Sequence, residues 1–189
     1  MVLDDLDAVT ARRLGLHPWR QIAERYGGDR PSRLKRAIVS VDDGERYAWM
    51  KGVVGLNHGA AAGMEVADFR SRRITLGRRI IDHIRTKPIR APYLTWAPAT
   101  LRSPLEVWRH HRNAENGLEP RLYYLFAATK PELHSVVVIV SERDLVAFNV
   151  IPLKPKDAKP FRVGELTYVG YDAPYERCPH GCCEQDRLE

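Results

Sequence analysis

Residues 134–141 read HSVVVIVS, and this run constrains the fold more than any other. It is β-branched and nearly continuous in apolar character. Such a segment is a strand covered on both faces, not a half-solvated one. Its neighbours carry the same period. RLYYLFAAT (121–129) is apolar and aromatic, KPEL turns, and ERD is a tight connection to LVAFNVI (145–151). After the loop PLKPKDAKP, FRVGELTYVG (161–170) alternates as a fourth strand. Connections this short imply antiparallel neighbours. The expectation is an α+β chain, with a helical N-terminal half and a four-stranded antiparallel meander sheet with helices packed on one face.

The helical half is read from caps and breakers. VTARRLG and HPWRQIAERYGG are short helices, the second with Pro18 early and Gly27-Gly28 as a stop. PSRLKRAIVSV continues as helix or strand, DDGE (42–45) signals a turn, and NHGAAAGMEV is a glycine-rich loop. ITLGRRIIDHI is predicted as one helix, and IRAPYLTWAPATL, with two prolines, as an extended connector. SPLEVWRHHRN is predicted as a second helix, with Ser103 as N-cap, Pro104 at the first helical position and Glu106 completing a capping box.

With 189 residues and 44% hydrophobic content the chain can bury a real core. No apolar run approaches the ~20 residues of a membrane span. The opening segment MVLDDLDAVTARR lacks the apolar stretch of a secretory signal, so a cytoplasmic or phage-encoded protein is expected. The formal charge is +6 and unevenly spread. Arg70, Arg72, Arg73, Arg78, Arg79, Arg85, Lys87 and Arg90 face one acid, Asp82, within residues 70–90. That excess suits a polyanion such as RNA or DNA, although a solvated basic helix face would look the same. Within it, His83 borders the stripe formed by Leu76, Ile80 and Ile84. It is either a hydrogen-bonded histidine at the edge of a core or one aimed at an anion. Asp82, adjacent on the helix, should point away from it by ~100°.

A helix ending in His83, then IRAPYL, TLRSPLEVW, a strand opening Arg121-x-Tyr123, an apolar hairpin, IPLK and RVGELTY follow one another in that order. This succession resembles the phage-borne branch of the barnase–EndoU–colicin–RelE-like nuclease superfamily, a domain often fused to Mu F-type phage head-morphogenesis proteins. The resemblance covers about residues 74–171. It implies a barnase/RelE-like nuclease domain over 71–172, after a helical N-terminal extension (1–70) of unknown role and before a Cys-rich flexible tail (173–189). It further implies a metal-independent endoribonuclease that cleaves RNA by 2′-hydroxyl attack to a 2′,3′-cyclic phosphate, acting as a toxin or phage-encoded nuclease, and needing no cofactor. Such chemistry asks for a base, an acid and fixed cations around the phosphorane.

Carried over residue by residue, the resemblance gives a catalytic set of His83, Arg90, Arg121, Tyr123, Lys154 and Arg162. His83 can serve as acid or base near neutrality, and Arg90 can clamp a phosphate. Arg121 and Tyr123, two apart, share a strand face. Gly164 could admit a nucleotide, although a bulge is the commoner reason for such a glycine. Arg78, Arg79, Arg85, Lys87 and Lys156 supply nucleic-acid-binding charge. RNA, with tRNA one candidate, is the expected partner, and an immunity or antitoxin protein is a second; no membrane partner is expected. Cys178, His180, Cys182 and Cys183 are zinc-compatible donor types, but their spacing lacks a C-x-x-C knuckle, so an oxidisable tail is the default reading. The competing readings are a non-catalytic nucleic-acid-binding or phage structural module on the same fold, and a DNA-binding regulator built on the N-terminal helices.

Overall fold

The computed structural model describes residues 19–26, 40–56, 62–114, 117–128 and 134–171. The sequence expectations for VTARRLG, most of PSRLKRAIVSV and the cysteine tail lie outside these residues. Within them stand seven strands: β1 (Met64–Ala67), β2 (Arg73–Leu76), β3 (Glu106–Ala114), β4 (Gly117–Ala128), β5 (His134–Ser141), β6 (Val146–Leu153) and β7 (Glu165–Val169). Four α-helices accompany them: α1 (Trp19–Tyr26), α2 (Asp43–Val53), α3 (Arg78–Arg85) and α4 (Ala97–Arg102). Two 3-10 segments cover Pro88–Trp96 and Pro155–Phe161.

The strands form one sheet in the order β1-β2-β6-β5-β4-β3-β7. The α+β class holds, but the four-stranded antiparallel meander does not. The sheet is mixed, because β2 runs parallel to β6. The strand predicted over 161–170 does not extend the meander beyond β6. Its shorter core, β7, pairs with β3 at the far edge. β5 occupies the predicted span and the centre of the sheet. Val136, Val138 and Val140 enter one core, while Val137 and Ile139 enter the other. The β-branched run therefore marks a strand buried on both faces, as its composition requires.

SPLEVWRHHRN is a strand and not a helix. Ser103 ends α4 instead of capping a new helix, and residues from Glu106 onward pair with β4 and β7. The cause is burial at period two. Glu106 and Trp108 share a face, and the Trp108 indole N–H donates to the Glu106 carboxylate at 2.8 Å. Arg162 donates to both oxygens of the same carboxylate, from Nε at 2.8 Å and Nη2 at 2.9 Å, with Arg162 2% exposed and Glu106 0%. A buried charge needs such a partner, and that partner exists only when residue 106 lies in the sheet. Tertiary context thus overrides a local capping signature.

Two other segments also differ from the expectation. The predicted connector is a 3-10 segment running into α4. The DDGE turn is a helix start, where the Asp42 side chain accepts the Glu45 backbone N–H at 2.8 Å.

ITLGRRIIDHI divides at Gly77. The chain is strand up to Leu76 and helix from Arg78. Gly77 lies against the backbone of Ala62, where a Cβ would stand 2.2 Å from the carbonyl oxygen. Helix α3 has only eight residues, too few to be stable alone. Ile80, Ile81 and Ile84, all 0% exposed, hold it to the core at ~1.5–3 kcal/mol each. The segment after β1 is fastened by Asp68, which accepts from Arg72 and from the Tyr124 hydroxyl at 2.9 Å. A boundary at residue 70 would fall between β1 and β2 of this one sheet. Among the described residues no helix is long and apolar enough to cross a membrane.

The junction at Gly77 yields the first prediction. Gly77→Ala should lower stability by about 1–3 kcal/mol through overpacking alone, since the position is extended and not left-handed. Urea unfolding of the variant beside the parent chain measures this, and an unchanged midpoint would remove the close approach as a constraint.

Candidate functional site

Strand β2 pairs with β6 at two positions only, Thr75↔Val146 and Leu76↔Ala147. Beyond Ala147 no described strand takes that side of β6. Helix α3 and the Pro88–Trp96 segment both contact β6, the latter through Arg90 at Asn149. At the same level β6 is irregular: Ile139 pairs with Asn149 and Val140 with Ala147, so Phe148 is the extra residue. The bulge gives Phe148 and Asn149 to groups arriving from α3, the 3-10 segment and β4.

These groups form a cleft of about 430 Å³ lined by Arg79, Asp82, His83, Arg121 and Phe148. The His83 ring meets Phe148 edge-on, with centroids 6.2 Å apart. The Arg121 and Arg79 guanidinium carbons lie 4.7 and 5.3 Å from the Phe148 centroid, within cation–π range. Lys87 Nζ is 3.3 Å from His83 Nε2. Arg90 donates from Nη1 to Asn149 Oδ1 at 3.0 Å.

The cations differ in how they are compensated. Arg79 reaches Asp144 at 3.0 Å and Glu119 at 3.5 Å, and Arg121 grips Glu119 through Nε and Nη2. Away from the cleft, Arg72 pairs with Asp68, Arg73 with Glu65 and Arg85 with Asp43. Much of the basic excess over 70–90 is therefore answered by acids distant in sequence. Among the described residues no carboxylate pairs with Lys87 or Arg90. Partial burial draws the Arg90 guanidinium down from its ordinary value, but arginine stays charged. Partial burial, followed by the Lys87, Arg90 and Arg121 charges, also holds His83 below the usual imidazole value of 6.5. At pH 7 the ring is thus mainly neutral, with a lone pair available in a field that favours anions.

The structure brings His83, Arg90 and Arg121 of the predicted catalytic set together. Tyr123 is on the same strand face as Arg121 but is buried against Phe161 and near His110. Arg162 is in the buried network with Glu106, where a phosphate could reach it only by displacing that carboxylate. Lys154 is exposed and follows β6, five residues past Asn149, or ~16 Å along an extended strand. Gly164, at φ +89°, closes against the Arg109 carbonyl of β3, so its freedom serves strand packing.

Of the predicted nucleic-acid contacts, Arg79 lines the cleft, Lys87 adjoins it at the His83 ring, Arg78 and Arg85 are exposed, and the Lys156 side chain lies outside the described residues. So do Cys178, His180, Cys182 and Cys183. Asp82, expected to point away, lines the same cleft as His83. Sequence reasoning missed Phe148, Asn149 and Glu119. An asparagine inside the apolar run LVAFNVI was the available signal for the second; nothing local distinguished the other two.

One family model, described as phage-Barnase-EndoU-ColicinE5/D-RelE like nuclease2, matches residues 59–169, more than half of the chain. The match takes in every residue named in the cleft. No curated protein and no solved structure matches the sequence.

Two measurements test the site without assuming an activity. Histidine titration by NMR should place His83 below 6.5, and Lys87→Ala should move it upward, because removing a nearby cation eases protonation. A downward move or none would separate the two groups electrostatically. Arg162→Ala should cost roughly 3–5 kcal/mol in stability, because Glu106 is left buried and unpaired. A loss below about 1 kcal/mol would contradict the structural part assigned to Arg162.

Proposed function

The chain belongs to the phage-Barnase-EndoU-ColicinE5/D-RelE like nuclease2 family, and from that premise we propose that it is a metal-independent endoribonuclease. One observation carries the reading. His83 stands beside two cations, Lys87 and Arg90, that pair with no carboxylate among the described residues, and partial burial with those charges holds its pKa below the usual imidazole value. That combination supplies two of the three things 2′-hydroxyl attack requires, a base for the proton and donors for the charge that grows on phosphorus, and solvent serves as the acid.

On this reading His83 takes the 2′-proton while the 2′-oxygen bonds to the neighbouring phosphorus. Lys87 and Arg90 hold the non-bridging oxygens of the phosphorane. The bond to the 5′-oxygen then breaks, that oxygen takes a proton from solvent, and a 2′,3′-cyclic phosphate remains. Arg121 supplies further positive field and is kept in place by Glu119 and the Phe148 face. Tyr123, Lys154 and Arg162 are not assigned a catalytic step, given where they sit. The setting we propose is cytoplasmic RNA, with the protein acting as a toxin or a phage-encoded nuclease and an immunity or antitoxin protein as its controlling partner.

The test is incubation of total RNA with the purified chain in excess EDTA, beside His83→Ala. Cleavage to cyclic phosphate ends is expected from the parent, with a loss of about 10²–10⁴-fold in the variant. The acid limb of the pH–rate profile should lie below 6.5, because a lowered base pKa leaves the active neutral form present at lower pH. Intact RNA that is nevertheless retarded on a gel by both proteins would overturn the enzyme reading. It would favour a non-catalytic nucleic-acid-binding or phage structural module on the nuclease fold.

A further inference from the structure

Arg79, His83 and Lys87 are spaced four residues apart. Arg79 and His83 lie one turn apart on α3, about 6 Å along the axis, while Lys87 follows the helix end and brings its Nζ to 3.3 Å from His83 Nε2. The histidine thus has one cationic rung, Lys87, at its ring and another, Arg79, one helical turn away. That single turn is of the order of one nucleotide of an extended single strand. Each outer rung is doubled by a second cation from another element: Lys87 by Arg90 of the 3-10 segment, and Arg79 by Arg121 of β4.

The two rungs are not equivalent. Lys87 and Arg90 make their contacts with neutral groups, His83 and Asn149. Arg79 and Arg121 share a carboxylate, that of Glu119, which accepts from Arg121 twice and meets Arg79 at 3.5 Å. Both guanidiniums also lie over the same Phe148 ring. Two arginines on different elements are therefore already converged on one oxyanion at the cleft wall. Their side chains are 45% and 20% exposed, and that of Glu119 is 22% exposed, so the carboxylate can exchange for another anion without opening the core.

We propose that Arg79 and Arg121 form a second phosphate site, one nucleotide from the first, in which Glu119 stands in for the phosphate until RNA arrives. The inference rests on the ribonuclease reading and extends it. The ribose whose 2′-hydroxyl meets His83 sends its 3′-phosphate to Lys87 and Arg90 and its 5′-phosphate to Arg79 and Arg121. The cleft thus recognises a 5′-phosphorylated nucleotide unit of a single strand, and internal positions of RNA are favoured over an unphosphorylated 5′ end. Glu119 sets how much the second phosphate contributes, since with Glu119 and Asp144 in place the two arginine charges are balanced.

The probe is a dinucleotide with a 2′-deoxy first sugar, which cannot be cleaved by this route, made with and without a 5′-phosphate. Its affinity for the whole chain is measured by calorimetry at low salt. The 5′-phosphate should tighten binding severalfold in the parent chain. Arg79→Gln should abolish that increment, whereas Glu119→Gln should enlarge it, because a competing carboxylate is gone. Equal affinity for the two probes, or an increment untouched by Arg79→Gln, would overturn the second site. The ribo form of the same pair separates this from the reading beneath it. Cleavage with no phosphate increment leaves the nuclease and removes the site. A phosphate increment with no cleavage keeps the site and removes the nuclease.

Discussion

Two rungs of parallel pairing, Thr75 to Val146 and Leu76 to Ala147, determine how the rest of the molecule is arranged. They attach the β1–β2 hairpin to the sheet and stop there. Gly77, pressed against the Ala62 backbone, turns the chain away from the strand direction and into α3. Had β2 continued along β6, the side of Phe148 and Asn149 would be filled by another strand. Because it stops, a helix and a 3-10 segment reach that side with histidine and cations, and a cleft exists. Isoleucines 80, 81 and 84 anchor the helix, so that its polar side faces the bulge at a fixed height.

The electrostatics of the site depend on that geometry more than on the number of basic residues. Eight cations against one acid over residues 70–90 suggest an open positive field. Folding brings Asp43, Glu65, Asp68, Glu119 and Asp144 to four of those cations, Arg72, Arg73, Arg79 and Arg85. An exposed ion pair of this kind adds little stability. Its effect is to mute much of the field and leave Lys87 and Arg90 as cations near His83 that pair with no carboxylate among the described residues. Binding at the cleft is thereby made local, and the imidazole is kept in the form that can accept a proton.

The buried Glu106–Arg162 pair shows a different use of charge. Its two members come from β3 and from the residue that ends the Pro155–Phe161 segment. The Tyr171 hydroxyl joins the carboxylate at 2.6 Å, and burial beside that carboxylate pushes the phenol pKa up, so that it remains a donor. The network ties the β7 end of the chain to the far edge of the sheet, where Thr167 bulges and its hydroxyl donates to the Val107 carbonyl. Arg162 is thus a tether for the strand order. The same guanidinium that looks catalytic in the motif RVGELTY is satisfied before any substrate arrives.

How much of this was legible depends on the range of the interactions. The candidacy of His83 and Arg90 rests on the family resemblance, whereas the span of β5, its burial on both faces and the apolar side of α3 follow from local period and residue chemistry. The order of motifs pointed to a nuclease family for the same reason, since it is written along the chain. The strand at Glu106–Ala114 was not legible, because a capping signature of local strength competes there with a buried ion pair whose partner lies 56 residues away. The parallel β2–β6 pairing, the bulge at Phe148 and the joining of Glu119 to Arg79 are likewise contacts between distant segments. The sequence by itself determined which segments are apolar and which side chains carry the charge and proton chemistry a phosphate needs, since residue type and covalent order are enough for that. Only the tertiary structure decided where the sheet ends, which cations keep a carboxylate and which are left to meet an anion. Those outcomes depend on pairing energies between residues that the chain order does not bring together.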